Sequence, residues 1–434
     1  MRSLMGVGMI IDQVIGYIDA QTWESFFVMF WFVILIEFPR FILGGIVAMG
    51  PLVFYMSRSN DLENVNIKVP MSVLIPGHNN GDSIVRTVMS LVEQIGVELQ
   101  IIVINDGSTD DTDMHCRELL RRGFISDYIQ TETRGGKASA LNAGFLRVKY
   151  NLVVATDADT MFFRDALVRT VKYFNDPKVG ALCGNLRVRN LDASLCSRMQ
   201  QLNYVAGITI ARIVKDMLSF YFVISGAFGV YRASAIEEVG GWNYGPGDDG
   251  DMSVQIRLSG WRVRFAALAV ATTTVPETFA KLARQRVRWN RSMIRVRYRK
   301  YAKAILNPFN KNFNFLRTLS FYETYLVQGL VPLLFVIYVF MLIFGYGSFS
   351  IAVLIAIHVF YMVMFFIEYL FYLIISPARG EDAKLIWCIP LYPFFHSYFL
   401  RMVTLYSIFN ELIKRGSYED EFYPKKVRKR VKKF

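Results

Sequence analysis

The sequence predicts an α/β domain with a mostly parallel sheet, inserted between transmembrane and interfacial helices. Three observations predict it. Short β-branched runs alternate with helical stretches between residues 58 and 275, the pattern of strand–helix–strand units. Long apolar stretches lie on both sides of that region. A basic, aromatic stretch at 276–323 follows it and suits amphipathic helices in a membrane interface.

The first apolar stretch, Phe26–Met56, has 31 residues. As a helix it would be about 46 Å long, more than the roughly 30 Å of bilayer hydrocarbon. Glu37, Pro39 and Arg40 interrupt it. Glu37 and Arg40 are three apart and can pair on one helix face. Residues 1–57 are therefore expected to hold one tilted or kinked span, or two short segments, and no removable signal peptide. Expected strands follow at SVLIP (72–76), QIIVIND (100–106), NLVVATDAD (151–159) and VGALCGN (179–185), with helices at Asp82–Gln94 and Ala138–Val148 between them. Sheets of this kind place ligands at the carboxyl ends of their strands. Asn105-Asp106-Gly107, Asp157 and Asp159 fall at such ends. Residues 276–323 are read as interfacial helices, 324–376 as a pair of transmembrane helices, 377–412 as an interfacial or re-entrant helix, and 413–434 as a basic cytoplasmic tail.

Composition narrows the classes. The 434 residues are 53% apolar, with 35 Phe and 23 Tyr, and mean hydropathy is +0.30. These values exclude a disordered or collagen-like chain. Four Cys, at 116, 183, 196 and 388, form neither a C-x-x-C pair nor a zinc spacing. The net charge of +13 is concentrated: Lys281–Lys303 holds ten Lys/Arg and no acid, and Lys414–Phe434 holds nine against three acids. Basic runs beside apolar segments read as cytoplasmic membrane-surface patches. Nucleic acid is not an expected partner, because no nucleic-acid motif accompanies the charge. Arg58 and Lys68 after the first span place 58–323 in the cytoplasm.

Five stretches carry candidate chemistry. Asp157 and Asp159 form a D-x-D that can bind one divalent cation jointly with substrate phosphates, although an isolated D-x-D also suits a solvated loop. Asp106 lies in INDGSTDD, where a carboxylate can accept from a base or ribose, or simply make a turn and helix cap. RGGKASALNAG (134–144) places two glycines before Lys137, so backbone and ammonium can approach a diphosphate. GDDGD (247–251) clusters Asp248, Asp249 and Asp251 at a helix start, where mutual repulsion can raise one pKa to that of a base, or where all three merely cap. In RQRVRWNRS (284–292), Gln285, Arg288 and Trp289 share a helix face suited to diphosphate and sugar, or to an interfacial anchor. No histidine pair at metal spacing and no G-x-S-x-G, H-E-x-x-H or dinucleotide fingerprint is present.

In order and spacing these motifs resemble the membrane-embedded, processive family-2 glycosyltransferases, which include bacterial synthases of hyaluronan, cellulose, poly-N-acetylglucosamine and chitin oligosaccharide. The motifs cover about residues 70–300. The resemblance implies a GT-A-like nucleotide-sugar transferase domain with a site formed by named residues. Pro76 and Asn79, in IPGHNN, fall in the first nucleotide loop, where His78 replaces an aromatic and Asn80 an acid. Asp106 binds uracil. Gly136 and Lys137 lie near the diphosphate. Asp157 and Asp159 hold Mg²⁺ or Mn²⁺. Ser225 and Gly226, in ISGAFGVYR, line the acceptor together with Asp248 and Trp289. Gln285 and Arg288 serve the donor, and Asp249 is the catalytic base.

The implied activity is inverting, metal-dependent polymerisation of sugar from UDP-sugar donors into an extracellular polysaccharide secreted through the membrane. The GDD form and the RWNRS run lean toward a hyaluronan-like or GlcNAc-containing polymer. The expected partners are a UDP-sugar, the growing polysaccharide and the bilayer of a bacterial-type plasma membrane. A small membrane partner subunit or a second copy would complete a pore for which three spans are few. The alternatives are a homopolymer synthase of the cellulose or poly-N-acetylglucosamine type, a non-processive lipid-directed glycosyltransferase, and a non-catalytic membrane-binding protein.

Overall fold

The computed structural model describes residues 16, 22–39, 41, 68–220, 222–309, 315, 318–320, 322 and 326–430. The chain divides into two compact units, Met1–Gly50 with Glu323–Leu405, and Pro51–Tyr322 with Tyr406–Phe434.

The second unit is built on an eight-stranded sheet. Its strands are β1 (Val69–Gly77), β2 (Val97–Asp106), β3 (Asp127–Thr131), β4 (Leu152–Ala155), β5 (Met161–Phe162), β6 (Val179–Val188), β7 (Gly229–Arg232) and β8 (Arg262–Thr273), in the order β3-β2-β1-β4-β7-β6-β8-β5. All four expected runs are strands. β1, β2 and β6 are near-continuous buried runs, as strands covered on both faces must be. The sheet is more mixed than expected. β3, β2, β1 and β4 pair in parallel, as do β6 and β8, while β7 and β5 run the other way. The reversal of β7 brings its amino end, not its carboxyl end, to the edge where β1, β2 and β4 finish.

Helices cover the sheet with the periodicity their sequences carry. The helix Gly81–Val92 buries Ile84, Thr87, Val88 and Leu91, positions spaced at i, i+3, i+4 and i+7. The helix Lys137–Phe145 buries Ala138, Leu141 and Gly144. A Cβ at Gly144 would lie 2.7 Å from Ile104 Cδ1, so only glycine lets this helix sit so close to β2. The chain switches from one side of β1 to the other between β3 and β4, which opens a crevice beyond the carboxyl ends of β1, β2 and β4.

In the first unit, the helix Trp23–Phe32 packs with the helices Val331–Tyr346 and Ser350–Ile375 around Phe32, Phe335, Tyr338, Leu342, Ile357 and Tyr361. The Tyr338 hydroxyl donates to the Met29 carbonyl. Leu326–Ile374 is a helical run apolar and long enough to cross a membrane, with mean hydropathy 2.5, the one such run among the described residues. Only 28% of it is buried within the chain, so most of its apolar surface faces outward, unlike the core helix of a soluble protein. A turn at Gly347–Phe349, where Gly347 has φ +54°, divides it. Glu37 pairs with Arg401, whose guanidinium also sits 4.6 Å over the Phe335 ring; the expected partner Arg40 lies outside the described residues. Residues 42–57 likewise lie outside the described residues.

Gly184 of β6 has no room for a side chain, since a Cβ there would come 2.0 Å from Cδ1 of Phe228. Gly184→Ala should destabilise the β6–β7 core by about 1–3 kcal/mol, measured as a lower thermal midpoint of the detergent-solubilised chain.

Candidate active site

The site begins with the turn before the helix Lys137–Phe145. Asp106, buried at the end of β2, accepts from the backbone N–H of Gly135 through one carboxylate oxygen and from that of Gly136 through the other, both at 2.7 Å. Gly136 has φ +88°, a conformation that glycine adopts without strain. The turn so fixed delivers Lys137 into the crevice. There its ammonium lies 2.6 Å from Oδ1 of Asp157, just beyond β4, and 3.6 Å from Oδ1 of Asp249. Oδ2 of Asp249 accepts from the Gly226 N–H at 3.0 Å. A Cβ at Gly226 would be 2.1 Å from Lys137 Nζ and 2.4 Å from Asp249 Oδ1, so a side chain here would displace one or both charged groups. Lys137, Asp157, Gly226 and Asp249, four sequence-predicted residues, thus meet in one cluster.

Asp248 and Asp249 open the helix Asp248–Leu258, whose N-cap Gly247 has φ +83°. Burial and the neighbouring Asp249 carboxylate push Asp248 up to about 7. Oδ2 of Asp248 is buried with no hydrogen-bond partner among the described residues. Burial also raises Asp249, against the opposing pull of Lys137. Burial opposes the charge on Lys137, but Asp157, Asp249 and Asp248 outweigh it and hold the ammonium well above the usual lysine range.

Asp159 is pushed up to about 6 by burial and by Asp157, with Arg189 opposing. The Arg189 guanidinium donates to the Asp159 carbonyl at 3.2 Å. Two hard, mutually repelling carboxylates one residue apart suit a divalent cation that completes its shell with substrate oxygens. Among the described residues no three acidic, histidine or cysteine side chains cluster to hold a metal unaided. The pair therefore fits a cation shared with a ligand, not a closed structural site.

The remaining predicted residues are distributed around this cluster. Pro76 pairs with Ile104 inside the sheet. Asn79 has φ +55°, and its side-chain oxygen accepts from the Thr109 N–H at 2.9 Å, tying the first loop to the Asp106 loop. The Ser225 N–H approaches Cys183 Sγ at 3.3 Å. Gln285 and Arg288 lie on the helix Phe279–Met293 and, with Lys281, Arg284 and Asp420, line an open hollow of about 320 Å³. Trp289 is 40% exposed, with the Arg286 guanidinium 4.5 Å over its ring.

Sequence reasoning missed the tail. Phe422 lies against the Arg288 guanidinium at 3.7 Å, and its carbonyl accepts from Arg134 at 3.0 Å. Tyr423 is raised by burial and by Asp248, with Arg288 and the Gly247 backbone opposing. Pro424 and Val427 come within 4 Å of where a Gly136 Cβ would stand. The available signal was three aromatics, Tyr418, Phe422 and Tyr423, inside a stretch read only for its charge.

The model of the glycosyltransferase like family 2 matches residues 69–292. Poly-beta-1,6-N-acetyl-D-glucosamine synthases of Staphylococcus aureus strains MSSA476 and COL are each 31% identical over 251 residues, 56% of this chain and 60% of theirs. The protein of that name from Staphylococcus epidermidis is 31% identical over 221 residues, 50% of this chain and 53% of its own. The chain therefore spans about three fifths or less of the length of these curated relatives. Among solved structures, the mannosyltransferase PcManGT from Pyrobaculum calidifontis, in complex with GDP-Man and Mn²⁺, is similar with TM-score 0.58 at 18% identity, over 86% of this chain and 98% of that one. The fold is GT-A-like.

The raised Asp248 gives a stability prediction. Its pKa is higher folded, about 7, than the ordinary 3.8, so the native state binds that proton more tightly and this contribution is lost as pH rises from about 4 through 7. The thermal midpoint of Asp248→Asn should therefore gain on that of the wild type as pH goes from 5 to 8. Parallel curves for the two proteins would contradict it.

Proposed function

The chain belongs to glycosyltransferase family 2, and on that premise we propose that it is an inverting, processive polysaccharide synthase using UDP-sugar donors, with Asp249 as catalytic base. The observation that carries this reading is the Asp249 carboxylate, fixed by the Gly226 N–H and facing Lys137 and Asp157 across the crevice. A hexosyltransferase of the polysaccharide-synthase kind agrees with the relatives.

In this reading the uridine lies along Pro76, Asn79 and Asp106, whose Oδ2 keeps a lone pair beyond the Gly136 amide. The diphosphate lies between Gly136, Lys137 and, on the far side, Gln285 and Arg288. The acceptor lies by Ser225, Gly226, Asp248 and Trp289. Asp249 takes the proton of the acceptor hydroxyl, whose oxygen attacks C1 of the donor sugar opposite the leaving UDP. Raised by burial, Asp249 is a stronger base than an ordinary carboxylate. Lys137 stabilises the charge that develops on the departing diphosphate. Asp157 and Asp159 are the residues that would hold Mg²⁺ or Mn²⁺, which supplies further neutralisation of that charge when bound.

The relatives direct the choice of sugar toward GlcNAc, as a homopolymer or in the hyaluronan-like polymer to which RWNRS leans. The apolar run Leu326–Ile374 supports a place in the membrane. The multi-pass layout, the cytoplasmic position of the transferase unit, secretion of the product and a small partner subunit or second copy are part of the same proposal, and rest on the charge and hydropathy pattern.

Two outcomes are expected. Purified membranes, offered UDP-GlcNAc, UDP-GlcA, UDP-Glc and UDP-Gal singly and in pairs, should release UDP and build high-mass product only when UDP-GlcNAc is present. Short or lipid-soluble product would instead favour a non-processive transferase. Asp249→Asn should lower kcat by about 10²–10⁴-fold while the chain stays folded.

A further inference from the structure

The third acid of the GDDGD run is placed unlike the other two. Asp249 faces Lys137 and Gly226, whereas Asp251, two residues on and about 200° around the helix from it, is 2% exposed and points into the protein. One of its oxygens accepts from the Tyr301 hydroxyl at 2.7 Å, from Gln255 Nε2 at 2.9 Å and from Asn243 Nδ2 at 3.1 Å. The other accepts from the Lys300 ammonium. These four donors come from three places: its own helix, the loop before that helix, and the end of the basic segment.

That loop needs fixing. Between Val239 and Asp248 it reads GGWNYGPG, and all four glycines have positive φ, so the unfolded loop has unusual freedom. The fold holds it at three points. The Asn142 side chain bridges both backbone groups of Trp242 at 2.8 Å. Asp251 takes Asn243. Arg295, 3% exposed, donates to the Pro246 carbonyl at 2.9 Å. Two of the three holds thus run to the helical segment Ile294–Lys300 or to a residue bound by it. The Asp251 N–H closes the first turn of the helix on the Gly247 carbonyl at 2.8 Å, and Asp249 lies inside that turn.

We propose that Asp251 is a positioning residue for the transfer: it sets Asp249 through the turn they share, by bolting that turn and the glycine loop to the segment Ile294–Lys300. The inference rests on Asp249 as the base, as proposed above. A displacement of about 1 Å at a reacting group can cost roughly 10²-fold in rate, so the effect belongs in kcat and not in donor binding.

The test compares wild type, Asp251→Asn, Tyr301→Phe and Asp251→Asn/Lys300→Met as full-length chains in detergent, reading UDP-release kcat, donor KM and thermal midpoint. Asp251→Asn should lose about 10–100-fold in kcat, keep donor KM within about threefold, and melt earlier because the buried ion pair with Lys300 is broken. Tyr301→Phe removes one hydrogen bond without changing shape, and should lower kcat at a nearly unchanged midpoint. In the double variant, removal of both charges of the pair should restore the midpoint while kcat stays low. Recovery of kcat together with the midpoint would reduce Asp251 to a structural role and overturn the inference, as would full activity in Asp251→Asn. If the wild type itself releases no UDP from any sugar donor, the functional reading falls and the inference falls with it.

Discussion

The candidate site depends on one ammonium ion. Asp248 and Asp249 sit where burial already disfavours their charges, and the Asp157 carboxylate close by adds to the repulsion between them. Lys137 makes the arrangement tolerable, 2.6 Å from one carboxylate and 3.6 Å from another. Its position is in turn set by Asp106, which holds the Gly135–Gly136 turn immediately before it. A residue expected to read a nucleobase is thus also the anchor of the site's central cation. The requirement extends to Gly226, where any side chain would collide with both Lys137 and Asp249.

The same constraint explains the mixed sheet. Ser225, Gly226 and Ala227 lie just before β7, and they reach the crevice because β7 runs against β4. A parallel β7 would begin at the opposite edge and carry Gly226 away from Asp249. The sequence reading found strands at β1, β2, β4 and β6 because their apolar runs are four to ten residues long and end in polar clusters. It could not assign the direction of a four-residue strand such as β7, since alternation and β-propensity are the same in either sense.

The motifs were legible where the chemistry is local. Gly135-Gly136-Lys137, Asp157 with Asp159, and Asp248 with Asp249 are short runs in which spacing alone limits what the residues can do. What was not legible depends on sequence-distant contacts. Asp251 reads as one more repelling acid until Lys300 and Tyr301, about fifty residues later, supply its donors. Phe422 and Tyr423 sit in a stretch whose charge dominates its composition, yet they contact Arg288 and Gly247. In each case the local reading was physically reasonable, and a long-range contact with better burial prevailed.

The basic segment shows why a charge count is not a measure of charge on offer. Ten cations between Lys281 and Lys303 suggest a surface patch, but the segment is used in two ways along its length. Lys281 and Arg284 are exposed, and with Arg288 they line the open hollow. From Arg295 to Lys300 the cations turn inward: Arg295 and Arg297 are 3% and 6% exposed, Arg299 pairs with the buried Glu411 at 2.8 Å, and Lys300 with Asp251. Glu411 also accepts from the Ser417 N–H and hydroxyl, each at 2.8 Å, so one arginine of this run fixes the start of the tail while another holds the loop before Asp249. Arginine suits this work because its planar fork can serve a carbonyl and a ring face together, as Arg295 does with Pro246 and, at 5.4 Å, Tyr418. The first half of the segment thus keeps Lys281 and Arg284 on the surface, while Arg295–Lys300 is framework. A neutralising substitution should act on binding in the first half and on catalytic geometry in the second.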